Sequence, residues 1–303
     1  MQKLEHCYAT IAIVAHDAGA ANHIQSWLKT GYLDASKVNL YVDGPATKIF
    51  NNINPRLRSN SLEQVLDGAS FLISGTGWAS SFEHNARVLA CERKIKTIAV
   101  IDHWTNYRER FFRAGKEMLP DEVWVVDEYA LELAKKKLPG VKVVCHGNDY
   151  IKLQVQEIEK FSNNKKESLN THVLFLMEPI RQKWGISNIP GEMQSFEYFI
   201  NNMALLGVEK DAKIIIKPHP SDDHRKYESW ITKYRELCIE IDSSSSLAQL
   251  IARSDVVVGM QTYAMVVAVA VGKKVVSSMP LCAPKCTLPQ EEIIHLSKYY
   301  MPN

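Results

Sequence analysis

The side chains best suited to chemistry lie where short apolar runs end. His16 and Asp17 follow the run YATIAIVA at 8–15, and Thr76 and Trp78 sit in the loop GTGWASS at 75–81, behind FLIS. Asp102, His103, Trp104, Asn106 and Arg108 crowd behind TIAVI at 97–101. In the second half, Glu178 and Arg181 follow THVLFLM at 171–177, and Lys217, His219 and Ser221 follow the isoleucines at 214–216. Gln261 and Thr262 follow VVVG at 256–259. Imidazoles and carboxylates transfer protons, while Lys, Arg and His beside backbone amides attract anions. Runs this short and rich in β-branched residues read as buried parallel strands. Ligands of open α/β sheets bind outside the carboxyl ends of such strands.

The stretch KIIIKPHPSD at 213–222 shows the pattern most sharply. Pro218 and Pro220 cannot donate to a sheet, and each holds the residue before it extended. The chain therefore leaves the sheet at Lys217 and fixes His219 between two prolines. A cation and an imidazole there suit an anionic ligand such as a nucleotide phosphate; a solvated strand exit is the plainer reading. The other clusters are equally two-sided. Asp17 either does chemistry or caps the helix that follows. Trp78 either stacks on a sugar ring or packs into a core. Asp102, His103, Asn106, Arg108 and Arg110 either position a sugar or its carboxylate, or form salt bridges around packed aromatics. Glu178 and Arg181 hold a hydroxyl and an anion respectively, or either forms a simple ion pair.

Helical patterns separate the strands. One opens at His23, one spans 61–68, and one follows the GTGWASS loop from Phe82. A lysine-rich helix ends at Pro139-Gly140, and others cover 150–161 and 195–206, the latter closed by Gly207. Serines 243–246 cap a helix, 264–271 form another closed by Gly272, and 289–300 read as a last helix. Alternating strands and helices predict an α/β fold. The polar stretch SNNKKESLN at 162–170 predicts a boundary, with domains at 1–162 and 171–288 and a terminal segment at 289–303.

At 303 residues the chain has room for one large or two ordinary domains, and 46% hydrophobic residues suffice for their cores. A formal net charge of +2 argues against nucleic acid as partner, since a binder concentrates a basic stripe. Six cysteines are scattered without a CxxC pair or metal-ligand spacing, as expected of a reduced cytoplasmic protein. The opening MQKLEH lacks the regions of a signal peptide, and no run approaches the ~20 apolar residues of a membrane span. The expectation is a soluble chain, with peripheral work at the inner face of a membrane left open.

KPHP followed by SSSSLAQLIARSDVVVGMQTYAMVVAVAVGKKVV resembles the donor-binding half of GT-B-fold glycosyltransferases, over roughly residues 171–280. The most similar groups are capsule- and sialic-acid-type transferases and CDP-glycerol glycerophosphotransferases, which share a KPHP or HP motif; nucleotide-sugar 2-epimerases use the same architecture. The resemblance implies two Rossmann-like domains facing across a cleft, the terminal helix crossing back to the first. It implies a nucleotide-activated sugar as substrate, a CMP-sugar first and a UDP-sugar next. That donor would be held by Lys217, His219, Ser221, Gln261, Thr262, Glu178 and Arg181. The sugar would pass to a glycan or lipid-linked acceptor in surface polysaccharide synthesis. Asp17 would take the acceptor's proton, with His103 and His16 as alternatives, and Asp102, Trp104, Asn106, Arg108, Thr76 and Trp78 would line the acceptor. No paired carboxylates of the DxD type stand at a strand end, Asp222-Asp223 being the nearest imitation, so no metal and no cofactor are expected. The chain departs from the pattern at His16-Asp17-Ala18-Gly19, where some bacterial sialyltransferases have two acids before the glycine. It departs again at Gln261-Thr262, where paired hydroxyl residues are usual. The alternatives are a nucleotide-sugar 2-epimerase or hydrolase, and a non-catalytic binding protein. Oligomeric state is open.

Overall fold

In a computed structural model the described residues are 9–78, 80–162, 170–180, 182–219, 221–223 and 225–299. Tyr8 of the first apolar run, most of the expected linker (163–169) and Tyr300 fall outside them. The chain forms two compact units, 1–153 and 154–303.

The first unit is built on a seven-stranded sheet. Its strands are β1 (Ile11–Ala15), β2 (Val38–Val42), β3 (Leu57–Arg58), β4 (Phe71–Ser74), β5 (Lys96–Val100), β8 (Glu122–Val125) and β9 (Lys142–Cys145). The spatial order is 3-2-1-4-5-8-9, and all pairs are parallel. A two-stranded hairpin, β6 (Phe112–Arg113) with β7 (Lys116–Glu117), stands apart from this sheet. The helices are α1 (Ala18–Lys29), α2 (Ala46–Ile49), α3 (Leu62–Val65), α4 (Phe82–Glu92) and α5 (Glu128–Lys137). α6 (Asp149–Ser162) carries the division between the units. β1 is buried at every position and pairs on both sides, Ile13 lying opposite Leu40 and Ile73. Its uninterrupted apolar sequence is what a strand covered on both faces requires. One core layer gathers Ile13, Ile24, Trp27, Leu40, Phe50 and Trp124; the other gathers Val14, Leu72, Ala86 and Ala90.

The second unit repeats the plan. Its strands are β10 (His172–Leu176), β11 (Lys213–Lys217), β12 (Cys238–Ile241), β13 (Val256–Gly259), β14 (Lys274–Ser277) and β15 (Ile294–His295), in the order 12-11-10-13-14-15 and all parallel. Its helices are α7 (Gly191–Asn202), α8 (Arg225–Ile231), α9 (Leu247–Arg253) and α10 (Tyr263–Ala270). Read in chain order within the unit this is 3-2-1-4-5-6, the doubly wound Rossmann arrangement, whose ligand crevice lies where the order reverses. The reversal falls between β10 and β13 here, and between β1 and β4 in the first unit.

The terminal segment departs from expectation. Residues 289–299 are not a helix: they form β15 and a 3-10 turn at Leu296–Lys298. Ile294 pairs with Val276 and His295 with Ser277, while Ile293 and Leu296 are buried. An unpaired β14 edge would leave its backbone groups exposed, and two ladder pairs plus that burial outweigh the helical pattern. Among the described residues no helix is long and apolar enough to cross a membrane.

Candidate functional site

In the first unit the β1 and β4 exits are bound together by a carboxylate supplied from α4. Glu83, 2% exposed, accepts the His16 amide (2.9 Å) and the Gly77 amide (2.6 Å). Burial raises its pKa, opposed by those two amides and by Arg87, while Asp17 adds to the rise. Asp17 is the N-cap residue of α1 by backbone position, but its side chain makes no capping bond. Instead its Oδ1 lies 2.6 Å from His16 Nδ1 and its Oδ2 accepts the Trp78 amide at 3.1 Å. The carboxylate therefore orients an imidazole rather than a helix. With Nδ1 bonded to Asp17, Nε2 is the nitrogen left to exchange a proton with another group. That nitrogen lies against Gly44, where a Cβ would come within 2.6 Å of it. Gly77 has no room for a Cβ either, which would overlap Asp17 Oδ2. The indole of Trp78 is 50% exposed, outside any core.

The cluster behind β5 is less uniform. Asp102 pairs with the buried Arg110 (2.9 Å), which also donates to Thr76 Oγ1 (3.1 Å). Thr76 in turn donates to the Val100 carbonyl at 3.0 Å, so this hydroxyl is buried scaffolding. Burial would push the Asp102 carboxyl up, but Arg110 foremost, then His23 and His103, hold it below its ordinary value. His103 Nδ1 lies 3.3 Å from Thr105 Oγ1. Trp104, 6% exposed, turns inward and shares its N–H between the two oxygens of Asp127 at 3.1 Å each. Arg108 forms an exposed fork with Glu117 (2.6 and 3.1 Å). Asn106 is exposed in the left-handed region (φ 57°), and its carbonyl accepts the Arg110 amide at 3.2 Å. His16, Asp17, Thr76, Trp78, Asp102 and His103 thus border the β1, β4 and β5 exits, while Trp104 and Arg108 are engaged in packing and a surface ion pair. Sequence reasoning missed Glu83, although an acid in the first turn of the helix after a glycine loop was a usable signal. It also missed Arg113, whose Nη2 donates to the Gly77 carbonyl at 2.5 Å.

In the second unit a carboxylate again meets amides at the reversal. Glu178 Oε1 accepts the Met260 amide (3.0 Å) and the Gln261 amide (2.6 Å) across the β10–β13 boundary. The side chain belongs to a residue only 9% exposed; burial raises its pKa to about 7 against the bonds from Gln261, Met260 and Thr262. Thr262 caps α10 through the Ala264 amide, and Gln261 Oε1 accepts from the Thr287 amide and hydroxyl at 3.3 and 3.1 Å. Lys217 donates to the carbonyls of Ser243 (3.2 Å) and Ser245 (2.7 Å), and burial lowers its pKa. It clamps the serine loop, in which Ser244 and Ser245 donate to the Asp242 carboxylate, while Ser246 caps α9 in a reciprocal box with Gln249. His219 Nδ1 accepts the Ser221 amide (3.2 Å) and lies 2.8 Å from its hydroxyl, which places the neutral ring's proton on Nε2. Asp222 donates its amide to the His219 carbonyl (2.9 Å), and its carboxylate is held by Lys226 (2.8 Å) and Tyr227 (2.6 Å). Arg181 and Pro220 lie outside the described residues.

Past the β14 and β15 ends lies a cavity of about 450 Å³, walled by Met279, Pro280 and Ala283 and carrying the basic groups Lys285, His295 and Lys298. None of these residues was expected in a site. They come from a loop without periodicity and from the segment expected as a helix.

No known protein family and no curated protein matches the sequence. Solved structures do match in shape. UDP-GlcNAc 2-epimerase from Neisseria meningitidis bound to UDP-GlcNAc superposes with a TM-score of 0.62 at 11% identity, over 88% of this chain and 82% of that one. UDP-N-acetylglucosamine 2-epimerase from Rickettsia bellii gives 0.57 at 12%, over 89% and 79%. The glycotransferase of kitacinnamycin gives 0.51 at 12%, over 95% and 85%. The chain thus has a GT-B-like α/β fold of two Rossmann-like units.

Proposed function

We propose that the protein is an enzyme acting on a nucleotide-activated sugar, transferring the sugar to a hydroxyl of a glycan or lipid-linked acceptor. The observation that carries this is the basic, apolar-walled cavity at the carboxyl end of the second sheet. Its size falls in the range of small-molecule sites, and it opens at the carboxyl ends of β14 and β15, on the face of the sheet where doubly wound units bind ligands but to one side of the reversal between β10 and β13. Neighbouring parallel strands lie ~4.8 Å apart, so the β14 exit and the β11 exit are separated by three spacings, ~14 Å. A nucleoside, its phosphate bridge and one sugar fill such a span, from the Lys285–Lys298 cavity past Thr262 to His219. A proton held on His219 Nε2, with Lys285 and Lys298 behind it, would stabilise charge on the departing nucleotide.

Within the first unit, Asp17 fixes the His16 tautomer and leaves Nε2 as the candidate general base for an acceptor hydroxyl. Asp17 is thereby an orienting group, with His16 the base. A CMP-sugar is the favoured donor and a UDP-sugar the next.

The test is a thermal-shift panel of CMP, CDP, UDP, GDP and dTDP on the wild type and on His219→Ala. A ligand at ~100 times its Kd stabilises the fold by about 2.7 kcal/mol. One nucleotide should raise Tm and lose part of that effect in the variant; no response to any of them would refute the reading. The similarity in shape to two 2-epimerases supports epimerisation or hydrolysis as the second reading. Release of nucleotide without any acceptor would favour it.

A further inference from the structure

The amides of Met260 and Gln261 stand at the reversal of the second sheet, the position from which a Rossmann-like unit offers donors to a ligand's phosphates. They are already taken, at 3.0 and 2.6 Å, by Glu178. Among the described residues this carboxylate has no ion-pair partner, and the ammonium of Lys217 is turned to two serine carbonyls on the neighbouring exit. An acidic group that is nine-tenths buried therefore occupies the anion position of the crevice.

We propose that Glu178 is a specificity determinant that selects a donor with one phosphate and rejects one with two. This rests on the nucleotide-donor reading above. A single phosphate leaving the cavity beside Lys285 and Lys298 reaches the N-terminus of α10 at Thr262 without needing the amides that Glu178 holds. A second phosphate must lie over the reversal itself, within several ångströms of the carboxylate. There it meets like charge in a poorly screened setting and finds its donors engaged. The penalty falls on the second phosphate whatever the base, so base recognition and phosphate counting are separate properties of the site.

The experiment is isothermal titration of the full chain with CMP and CDP, and with UMP and UDP, for the wild type and for Glu178→Gln, at about pH 8.5 so that a carboxyl titrating at about 7 carries its charge. The glutamine keeps an oxygen for both amides and removes only the charge; its fold is checked by melting and circular dichroism. The wild type should bind each monophosphate at least about tenfold more tightly than the diphosphate of the same base, and Glu178→Gln should reduce that ratio to about threefold or less. A wild-type protein that binds diphosphates as tightly as monophosphates overturns the proposal while leaving the donor reading intact, and so does an unchanged ratio in a folded variant. Failure of all four nucleotides to bind the wild type overturns both.

Discussion

The two units solve the same problem at their reversal points with the same chemical device and opposite sourcing. In the first, the carboxylate comes from the helix after β4 and reaches back to the amides of both flanking exits, His16 and Gly77. In the second, it comes from the exit of the first strand and reaches across to consecutive amides, Met260 and Gln261. The first arrangement ties two loops together and leaves an imidazole–carboxylate pair beside them. The second satisfies one loop and leaves the space past β14 as a basic cavity. One Rossmann scaffold thus presents an imidazole–carboxylate pair and the other a hollow lined by basic side chains. The difference arises in a few exit residues, consistent with function residing in sites grafted on a common fold.

The largest expected effect breaks the proton-transfer half of this contrast. His16→Ala and Asp17→Asn should each lower kcat by about 10²–10⁴ while leaving nucleotide binding unchanged. Steady-state kinetics beside titration checks both. A loss of nucleotide affinity in either variant would blur the division of labour.

The second effect sharpens the contrast through pH. Glu178 has its folded pKa at about 7, above the ordinary 4.5. Its contribution to stability is therefore complete below pH 4.5 and is lost as pH rises through 7, on the order of 3 kcal/mol. Glu178→Gln should gain on the wild type across that window. His23, buried in the first unit, has its pKa lowered by burial from 6.5 to about 4 despite Asp102. Its neutral ring gives a contribution that is present above pH 6.5 and lost as pH falls to about 4, also on the order of 3 kcal/mol. His23→Phe should gain on the wild type in acid. Denaturant titrations at several pH values test both slopes, and parallel slopes for variant and wild type would show the assignment to be mistaken.

Smaller effects probe single contacts. Gly44 has φ +55°, and a Cβ there presses on His16 Nε2, so Gly44→Ala should cost about 1–2 kcal/mol and impair turnover beyond that loss. Trp104→Phe should cost about 1 kcal/mol through the lost bond to Asp127. Trp78→Ala, at an exposed position, should change stability by less than ~0.5 kcal/mol yet weaken acceptor binding. Equal effects of the two tryptophans would erase the distinction drawn between them.

The strands that place both sites were legible because β-branched runs such as IAIVA, KIIIK and VVVG have no competing pattern. Two-residue strands such as Leu57–Arg58 and Ile294–His295 carry no periodicity, so pairing alone defines them, and the terminal helix was misread for that reason. The pairing of His16 with Asp17 was half legible: the residues were adjacent, but only the turn of the Asp17 side chain away from the α1 amides separates orienting from capping. Glu178 stood out as a ligand-holding candidate at a strand exit, whereas Glu83 was passed over at a helix start. The amides that Glu178 binds lie 82 and 83 positions away, which no local pattern reports, while Glu83 joins a local amide, Gly77, to one 67 positions away at His16.

The most direct test of the central claim, that the second unit holds the nucleotide, is hydrogen exchange of the full chain with and without saturating CMP. Protection should appear at the exits of β10, β11 and β13 and across 277–298, with the β1 and β4 exits unchanged. Protection confined to residues 16–19 and 75–83 would place the nucleotide on the first unit and contradict the account.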